Sequence, residues 1–167
     1  MAKTADNLKA AFAGESQAST TYLAFARKAE QEGYPQVAKL FRAASMAETI
    51  HARNHLDTME GIKSTQDNLK EAVSGENAEH VKMYPEFIDV ANKEQKPKAT
   101  RTFDWARKVE IMHESLYKSA LDVLQGDGKL QPTDFFVCQV CGCTVEGAAP
   151  DRCPVCGAPK AQFLKVG

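Results

Sequence analysis

The chain has 167 residues, a length that predicts one domain with at most a small appendage. Its composition, 26% charged and 43% hydrophobic, is that of an ordinary globular protein, and 21 basic against 22 acidic side chains exclude the basic excess typical of nucleic-acid binding. The N-terminus lacks the apolar core of a signal peptide, and no apolar run approaches the ~20 residues that span a bilayer. We therefore expect a soluble, cytoplasmic protein that binds neither nucleic acid nor membrane.

Glycine and proline divide the first part of the chain into four helical segments. They are expected over residues ~4–32, 35–61, ~66–94 and 97–125. Pro35 and Pro97 stand in first-turn positions, and Ser64 to Asp67 resembles a capping box. Apolar residues recur at steps of three and four, and the connections are short. We therefore expect an all-α four-helix bundle over residues 1–126, with antiparallel neighbours.

Two residues of the third segment break the rules of helix formation. Gly75 costs about 1 kcal/mol against alanine inside a helix, and Pro85 is expected to kink it. Such breaks tend to occur where function sets the geometry. The alternative interpretation is that the third segment consists of two shorter helices.

The remainder of the chain is a predicted linker, residues 127–134, and a small second domain, residues 135–167, which holds all five cysteines. Clustered thiols in a reducing cytosol indicate metal ligands rather than disulfides. Cys138-Gln-Val-Cys141-Gly and Cys153-Pro-Val-Cys156-Gly, the two cysteine knuckles, predict a tetrahedral four-thiolate site. A domain this short needs a bound metal ion or a similar cross-link to fold. The spacing leaves iron and zinc both open, and Cys143 is either a spare thiol or an alternative ligand.

Acids and histidines interrupt the apolar stripe of each helical segment. They are Glu15 in the first, Glu48 and His51 in the second, Glu76 and Glu79 in the third, and Glu110 and His113 in the fourth. Residues three apart project from one helix face, so each Glu-x-x-His pair can present a carboxylate and an imidazole to one site. The acids lie ~10 to ~13 residues from the helix starts, which puts them within about 5 Å of one level in antiparallel neighbours.

Electrostatics favours a metal site over the alternative, a set of ordinary solvated helix faces. Two ionised carboxylates ~5 Å apart repel by ~3 kcal/mol at an effective dielectric constant of ~20. Five of them in one core are untenable without cations unless most are protonated. Oxygen ligands with a few imidazoles, contributed by four helices, suit a pair of iron or manganese ions.

These motifs together resemble the rubrerythrin family, in which a ferritin-like di-iron bundle precedes a rubredoxin-like domain. They are Gly14-Glu15-Ser16-Gln17-Ala18, Glu48-x-x-His51-Ala-Arg-Asn-His55, Gly75-Glu76-x-x-Glu79, Met83-Tyr84-Pro85-Glu86-Phe87, Glu110-x-x-His113, Phe135-Phe136-Val137-Cys138 and Cys153-Pro-Val-Cys156-Gly-Ala-Pro. The resemblance covers essentially the whole chain. It implies a non-haem di-iron site, oxo- or hydroxo-bridged when oxidised, and one iron held by Cys138, Cys141, Cys153 and Cys156, with zinc as the product of mis-loading.

The resemblance also implies a role for each site residue. Glu48 and Glu110 would bridge the two irons. Glu15 would hold the first iron, and Glu76 and His113 would hold the second. The first iron would also bind Glu79 in the oxidised state and His51 in the reduced state. Tyr22 and Tyr84 match tyrosines that hydrogen-bond site carboxylates, with a packing role as the alternative. His55 and His80 are expected behind the ligands or at the surface.

The function that the resemblance implies is reduction of hydrogen peroxide to water, in defence against oxidative stress. Electrons would reach the bundle through the four-cysteine iron, from an NAD(P)H-dependent reductase directly or through a separate rubredoxin. We expect a homodimer or higher homo-oligomer in which the tail of one chain serves a neighbour's bundle, because ten residues of helix already span ~15 Å. The alternatives are a ferroxidase or oxygen-reducing oxidase, and a zinc-stapled binding module with a non-catalytic bundle.

Overall fold

The computed structural model describes residues 3–126 and 128–167, so Asp127, the first residue of the predicted linker, lies outside the described residues. The helices are α1 (Lys3–Gln31), α2 (Pro35–Thr58), α3 (Thr65–Ala78), a π-helix (Glu79–Met83), α4 (Tyr84–Lys93) and α5 (Pro97–Gln125). The four predicted helical segments are therefore confirmed. The chain divides into two compact units, the first ending at Lys63 and the second spanning Ser64–Gly167. Within the described residues, no helix combines the length and apolar character needed to cross a bilayer.

The first unit is a hairpin of α1 and α2. Gly33 joins them with φ at +80°, a conformation that glycine adopts without steric cost. Its N–H donates to the carbonyl of Glu30 at 3.0 Å, and the next N–H, of Tyr34, donates to Ala29 at 2.8 Å. These bonds satisfy the last carbonyls of α1, and Pro35 then opens α2 with its φ already suited to a helix.

Small residues form the interface between α1 and α2. The buried residues of the hairpin are Ala26, Ala29, Ala38, Ala52 and Ser45. Ser45 Oγ donates to the Ser19 carbonyl at 2.9 Å, and Ser19 Oγ lies 2.8 Å from Thr49 Oγ1. Small side chains let the two helices approach closely. Polar residues that lie on the same helix faces as these small residues are therefore also brought together across the hairpin.

The second unit begins with a capped helix that changes pitch halfway. Ser64 Oγ accepts a hydrogen bond from the backbone N–H of Asp67 at 3.2 Å, which confirms the predicted cap. The helical path then continues to Lys93, but the five residues of the π-helix widen it, and the Tyr84 N–H donates to the carbonyl of Glu79. The wider turn accommodates Pro85, whose ring would clash with the carbonyl four residues back in an α-helix. The third segment is therefore one continuous helix with a π turn rather than two separate helices, and the kink at Pro85 stays a prediction.

Helix α5 runs antiparallel to this helix. Gln66 near the start of α3 donates from Nε2 to the carbonyl of Leu124 near the end of α5, at 3.1 Å. Farther along, Arg107 Nε donates to the carbonyl of His80 at 3.1 Å. On α4, Tyr84 lies with its ring centroid 6.3 Å from that of Phe103 on α5. These contacts fix which residues of α5 face the π-helix.

The tail is a three-stranded antiparallel sheet of β1 (Phe135–Cys138), β2 (Thr144–Glu146) and β3 (Phe163–Val166), with strand order β2-β1-β3. A 3-10 turn, Lys160–Gln162, precedes β3. The core of the tail is its own cysteines together with a residue of α5. Its buried members are Val109, Cys138, Cys143 and Cys153. The tail therefore packs against α5 of its own chain.

The described part of the linker lies beside the last turns of α5. Leu130 and Pro132 line one groove with Leu116, Ala120 and Val123 of that helix. The chain therefore turns back along α5 after the helix ends. Helix length alone predicts a tail beyond the end of α5, whereas this return brings the tail to the middle of that helix. That the tail of one chain serves the bundle of a neighbouring chain stays a prediction.

Candidate metal centre

Among residues 3–63, which the structure describes, the first unit holds one cluster of potential metal ligands. Glu15 on α1 and Glu48 and His51 on α2 each offer a ligand atom, and these three atoms lie within 4.8 Å of one another. The two helical residues are three positions apart, and His51 Nδ1 lies 2.8 Å from Glu48 Oε2. The His51 side chain is 54% exposed, whereas that of Glu48 is 21% exposed.

The second unit holds a cluster of the same composition. Glu76 on α3 and Glu110 and His113 on α5 offer three ligand atoms within 4.8 Å of one another, and all three residues are half-buried. His113 Nδ1 lies 2.8 Å from Glu110 Oε2 and 3.7 Å from Glu76 Oε1. Both predicted Glu-x-x-His pairs therefore point a carboxylate and an imidazole nitrogen at one place.

The chemistry of these donor sets fits a divalent cation. Burial, and then the hydrogen bond and charge of the adjacent Glu110 carboxyl, raise the pKa of Glu76 to about 7. Burial also raises the pKa of Glu110. A carboxylate oxygen and an imidazole lone pair at 2.8 Å repel unless a proton or a metal ion lies between them. Two carboxylates and one imidazole per cluster are the donors that iron accepts in helix bundles.

The four knuckle cysteines form a third cluster. Cys138 and Cys156 have their sulfur atoms 3.7 Å apart, and Cys141 and Cys153 have theirs 3.5 Å apart. These distances are far too long for disulfide bonds, and they approach the edge of about 3.8 Å in a tetrahedron with metal–sulfur bonds of ~2.3 Å. The sulfur positions therefore suit a four-coordinate metal ion.

Glycine makes each knuckle turn. Gly142 and Gly157 have φ values of +82° and +77°, which disfavour any residue with a Cβ. Their N–H groups donate to the carbonyls of Cys138 and Cys153, each at 2.9 Å. Glycine is therefore favoured after the second cysteine of each motif, because the backbone there has a positive φ.

The thiols of the cluster differ in their tendency to ionise. Burial opposes ionisation of Cys153, but hydrogen bonds from the backbone N–H groups of Cys156 and Val155 outweigh it and lower the pKa to about 6. Burial raises the pKa of Cys141 and of Cys156. Cys153 is therefore the thiol of the cluster that most readily forms the thiolate, which is the form that binds a metal ion.

Cys143 lies outside the four-cysteine cluster. It is completely buried, with its sulfur 3.8 Å from the sulfur of Met112 on α5. Burial raises the pKa of its thiol to about 12, so it stays protonated at neutral pH. Its contacts are those of an apolar side chain that joins the tail to the helix.

The remaining predicted site residues divide between the two units. Glu79 begins the π-helix, is half-buried, and belongs to neither carboxylate cluster among the described residues. Burial, and then the charges of Glu110, Glu79 and Glu76, raise the pKa of Tyr84, so this phenol lies near the second cluster. The Tyr22 ring packs 6.0 Å from that of Phe41. The hydrogen bonds from the two tyrosines to site carboxylates stay a prediction.

Glu114 is a buried acid that sequence reasoning missed. It is 7% exposed, and its carboxylate accepts hydrogen bonds from Asn77 Nδ2 at 3.0 Å, from Lys118 Nζ at 2.6 Å and from His80 Nε2. Asn77 and His80 flank Glu79, so Glu114 fixes the turn that carries that residue. The one sequence signal is Lys118 four residues later, which is common on solvated helix faces.

The Glu114 network predicts a pH-dependent stability. Hydrogen bonds from Lys118 and then His80 lower the pKa of Glu114 from 4.5 to about 2. The stabilisation is therefore complete above pH ~4.5 and is lost as the pH falls towards 2. Glu114→Gln should lower the urea midpoint of the metal-free protein at pH 7, and its difference from wild type should narrow between pH 5 and 3. Asp104→Asn, which breaks an exposed pair with Lys108, is the control. A difference for Glu114→Gln that does not change with pH would contradict the assignment.

Comparison with known proteins gives consistent matches over both parts of the chain. A family described as Rubrerythrin matches residues 6–121, and one described as Rubrerythrin, rubredoxin-like domain matches residues 136–164. The chain is 33% identical to Rubrerythrin-2 of Clostridium acetobutylicum, over 97% of this chain and 96% of that protein. It is 34% identical to the rubrerythrin of Porphyromonas gingivalis, over 96% and 88% respectively.

Solved structures agree with these matches. A structure of nigerythrin in a mixed-valence state is similar to this chain with a TM-score of 0.58 and 34% identity, over 98% of this chain and 86% of that one. A structure of fully reduced, all-ferrous nigerythrin gives the same TM-score at 33% identity, over the same shares of the two chains. The predicted fold class, an all-α ferritin-like four-helix bundle with a small C-terminal rubredoxin-like domain, is therefore confirmed.

Proposed function

The chain belongs to the rubrerythrin family, whose members are di-iron oxidoreductases, and from that premise we propose that it is a peroxidase that reduces hydrogen peroxide to water. The cofactors are a di-iron site and one iron held by four cysteines. The observation that carries the proposal is the pair of matched clusters, each with two carboxylates and one imidazole within 4.8 Å. A binding module has no need of such a costly arrangement of acids.

We assign the ligands from these clusters and from the family pattern. Glu15, Glu48 and His51 would hold one iron, Glu76, Glu110 and His113 the other, and Cys138, Cys141, Cys153 and Cys156 the third. The bridging roles of Glu48 and Glu110, and the exchange of His51 for Glu79 on oxidation, stay predictions. The proposed exchange of Glu79 is supported by the Glu114 network, which fixes the turn that carries Glu79 on both sides.

The chemistry requires electrons and protons in equal number. When bound, the two irons supply the two electrons, one from each, that cleavage of the peroxide oxygen–oxygen bond consumes. One molecule of peroxide also takes up two protons to give two molecules of water. Tyr84 keeps its proton at neutral pH, because burial and nearby carboxylates raise its pKa, and we assign it to donate a hydrogen bond into the site. The Glu76 carboxyl must lose its proton to bind a metal ion, so metal binding is favoured above pH ~7.

Electron delivery through the tail is supported by its position on α5. Met112 of that helix contacts the core of the tail, and the neighbouring His113 lies 2.9 Å from Thr144 of β2. Four-thiolate iron passes single electrons, so two transfers would restore the reduced site. We propose an NAD(P)H-dependent reductase, acting directly or through a rubredoxin, as the donor.

We also propose a cytoplasmic location and a homodimer or higher homo-oligomer. The thiols of the four-cysteine site remain reduced in the cytoplasm. On α2, Met46 and Ile50 are 70% and 47% exposed and lie four positions apart on one face of the helix, and adjacent exposed apolar side chains indicate a surface that another chain covers.

Stopped-flow mixing tests the choice of oxidant. The iron-loaded, fully reduced protein is mixed with hydrogen peroxide and, separately, with oxygen, while the visible spectrum of the oxidised centres is followed. We expect peroxide to oxidise the protein at least about tenfold faster. Faster oxidation by oxygen would instead favour an oxygen-reducing oxidase or ferroxidase. A colourless protein with zinc in the tail and no metal in the carboxylate clusters would favour the binding module.

A further inference from the structure

His113 is held through both of its ring nitrogens. Nδ1 faces the second carboxylate cluster, 2.8 Å from Glu110 and 3.7 Å from Glu76. Nε2 lies 2.9 Å from Thr144 Oγ1, and Thr144 is the first residue of β2, in the tail. The contact joins residues 31 positions apart, and both are half-buried. A residue of the four-cysteine domain therefore touches a residue of the bundle cluster directly.

The partners of Thr144 determine which nitrogen of His113 carries the proton. Thr144 Oγ1 lies 3.1 Å from the carbonyl oxygen of Gly142, and a carbonyl can only accept. The hydroxyl proton therefore goes to Gly142, and the hydroxyl oxygen is left to accept the N–H of His113 Nε2. With the proton on Nε2, Nδ1 keeps a free lone pair, and this lone pair faces Glu76 and Glu110.

The opposite tautomer suits the metal-free site but blocks metal binding. A proton on Nδ1 would point at Glu110, and Nε2 would need the Thr144 hydroxyl proton. Thr144 could not then donate to Gly142, and Nδ1 could bind a metal ion only after losing its proton. An imidazole that donates from one nitrogen to a fixed oxygen is the usual way in which a protein orients a metal ligand.

We propose that Thr144 is a positioning residue, which sets the tautomer and ring orientation of His113 so that Nδ1 is presented to the metal ion. This inference rests on the proposed metal site and adds to it a residue from the other domain. Gly142, the acceptor for Thr144, belongs to the first cysteine knuckle and is fixed by its own N–H bond to Cys138 at 2.9 Å. The geometry of the loaded knuckle thus helps to orient a ligand of the bundle.

The test compares two substitutions of Thr144 in the full chain. Thr144→Val keeps the volume and suits a strand but lacks the hydroxyl, whereas Thr144→Ser keeps the hydroxyl. The probe is Zn²⁺, which is diamagnetic, titrated in competition with a chromophoric chelator after the four-cysteine site has been filled. We expect one of the two carboxylate-cluster sites to bind zinc about 10- to 100-fold more weakly in Thr144→Val and within about threefold of wild type in Thr144→Ser.

Thr100→Val is the matched control. Thr100 is a half-buried residue of α5, the helix that also carries His113. Its hydroxyl donates to Asn92 Oδ1 at 3.0 Å, outside all three clusters. Its substitution removes one comparable hydrogen bond and should leave zinc affinity unchanged. Nitrogen-15 NMR of histidine gives a second readout, independent of affinity. With zinc bound, the wild-type protein should show the His113 proton on Nε2, and Thr144→Val should lose the protected Nε2–H resonance.

The outcomes separate this inference from the proposed function. Wild-type zinc affinity in Thr144→Val, or an Nε2–H resonance of zinc-bound His113 that is equally protected in Thr144→Val, would overturn the role of Thr144 and leave the metal site standing. Failure of Thr144→Ser to bind zinc normally would show that side-chain shape, not the hydroxyl, is what matters. A wild-type protein that binds no zinc at the carboxylate clusters would overturn the metal site itself.

Discussion

Replacing Cys153 with serine is expected to abolish NAD(P)H-driven peroxide turnover and to remove the visible absorption of the four-cysteine iron. The cysteine is 3% exposed and supplies the thiol with the lowered pKa, so its loss removes both a ligand and part of the core of the tail. Turnover should fall at least ~100-fold, since loss of a partner outside the ligand shell already costs ~10- to 100-fold. Absorption spectroscopy, an iron count per chain and a coupled reductase assay measure the effect.

Cys143→Ala is the matched control for this experiment. Cys143 is also buried in the core of the tail but lies outside the four-cysteine cluster, so the variant should keep its iron and most of its turnover. A second measurement checks the division of labour. Cys153→Ser that has been reduced chemically should still consume one equivalent of peroxide in a single turnover. If that reaction also disappeared, the proposed separation between electron delivery and peroxide reduction would be wrong.

Replacing His51 with alanine is expected to slow peroxide turnover at least about tenfold without unfolding the protein. The imidazole supplies one of the three ligand atoms of the first cluster, but its side chain is 54% exposed, so its removal leaves no cavity. Under the ligand exchange that the family pattern implies, Glu79 would still hold the oxidised iron. The iron count of the oxidised variant should therefore match wild type, while its steady-state peroxidase rate falls.

His55→Ala, one helical turn farther along α2, is the control for His51. His55 is half-buried and belongs to neither carboxylate cluster among the described residues, so its substitution should leave turnover within about twofold. An unchanged rate in His51→Ala would remove the ligand exchange from the mechanism. Loss of iron from oxidised His51→Ala would show that Glu79 does not replace the imidazole.

Local signals in the sequence account for most of the fold and for the ligand clusters. The cap at Ser64 and the prolines at positions 35 and 97 fix where helices begin, and the spacing of Glu48 with His51 fixes a shared face. Each of these depends on residues within one turn of one another. The knuckles are equally local, because the glycine after each pair of cysteines sets the turn.

The features that the sequence did not reveal depend on contacts between distant residues. Thr144 meets His113 across 31 positions, and Glu114 meets His80 across 34, so neither pair leaves a pattern within a helix or a strand. The return of the tail along α5 depends on the packing of Leu130 and Pro132 against that helix. Nothing within the linker itself specifies that direction.

The π-helix has a consequence for how related sequences are aligned. An α-helix turns by about 100° per residue, so one additional residue within a turn rotates everything after it by that angle. Tyr84 and Phe87 meet Phe103 of α5 in the phase that this extra residue creates. A relative that has four residues where this chain has the five of the π-helix would carry its tyrosine on a different side of the helix, even where the flanking residues are identical. A gap in this short stretch therefore moves the tyrosine beside the second cluster, although all three ligands of that cluster lie outside the stretch.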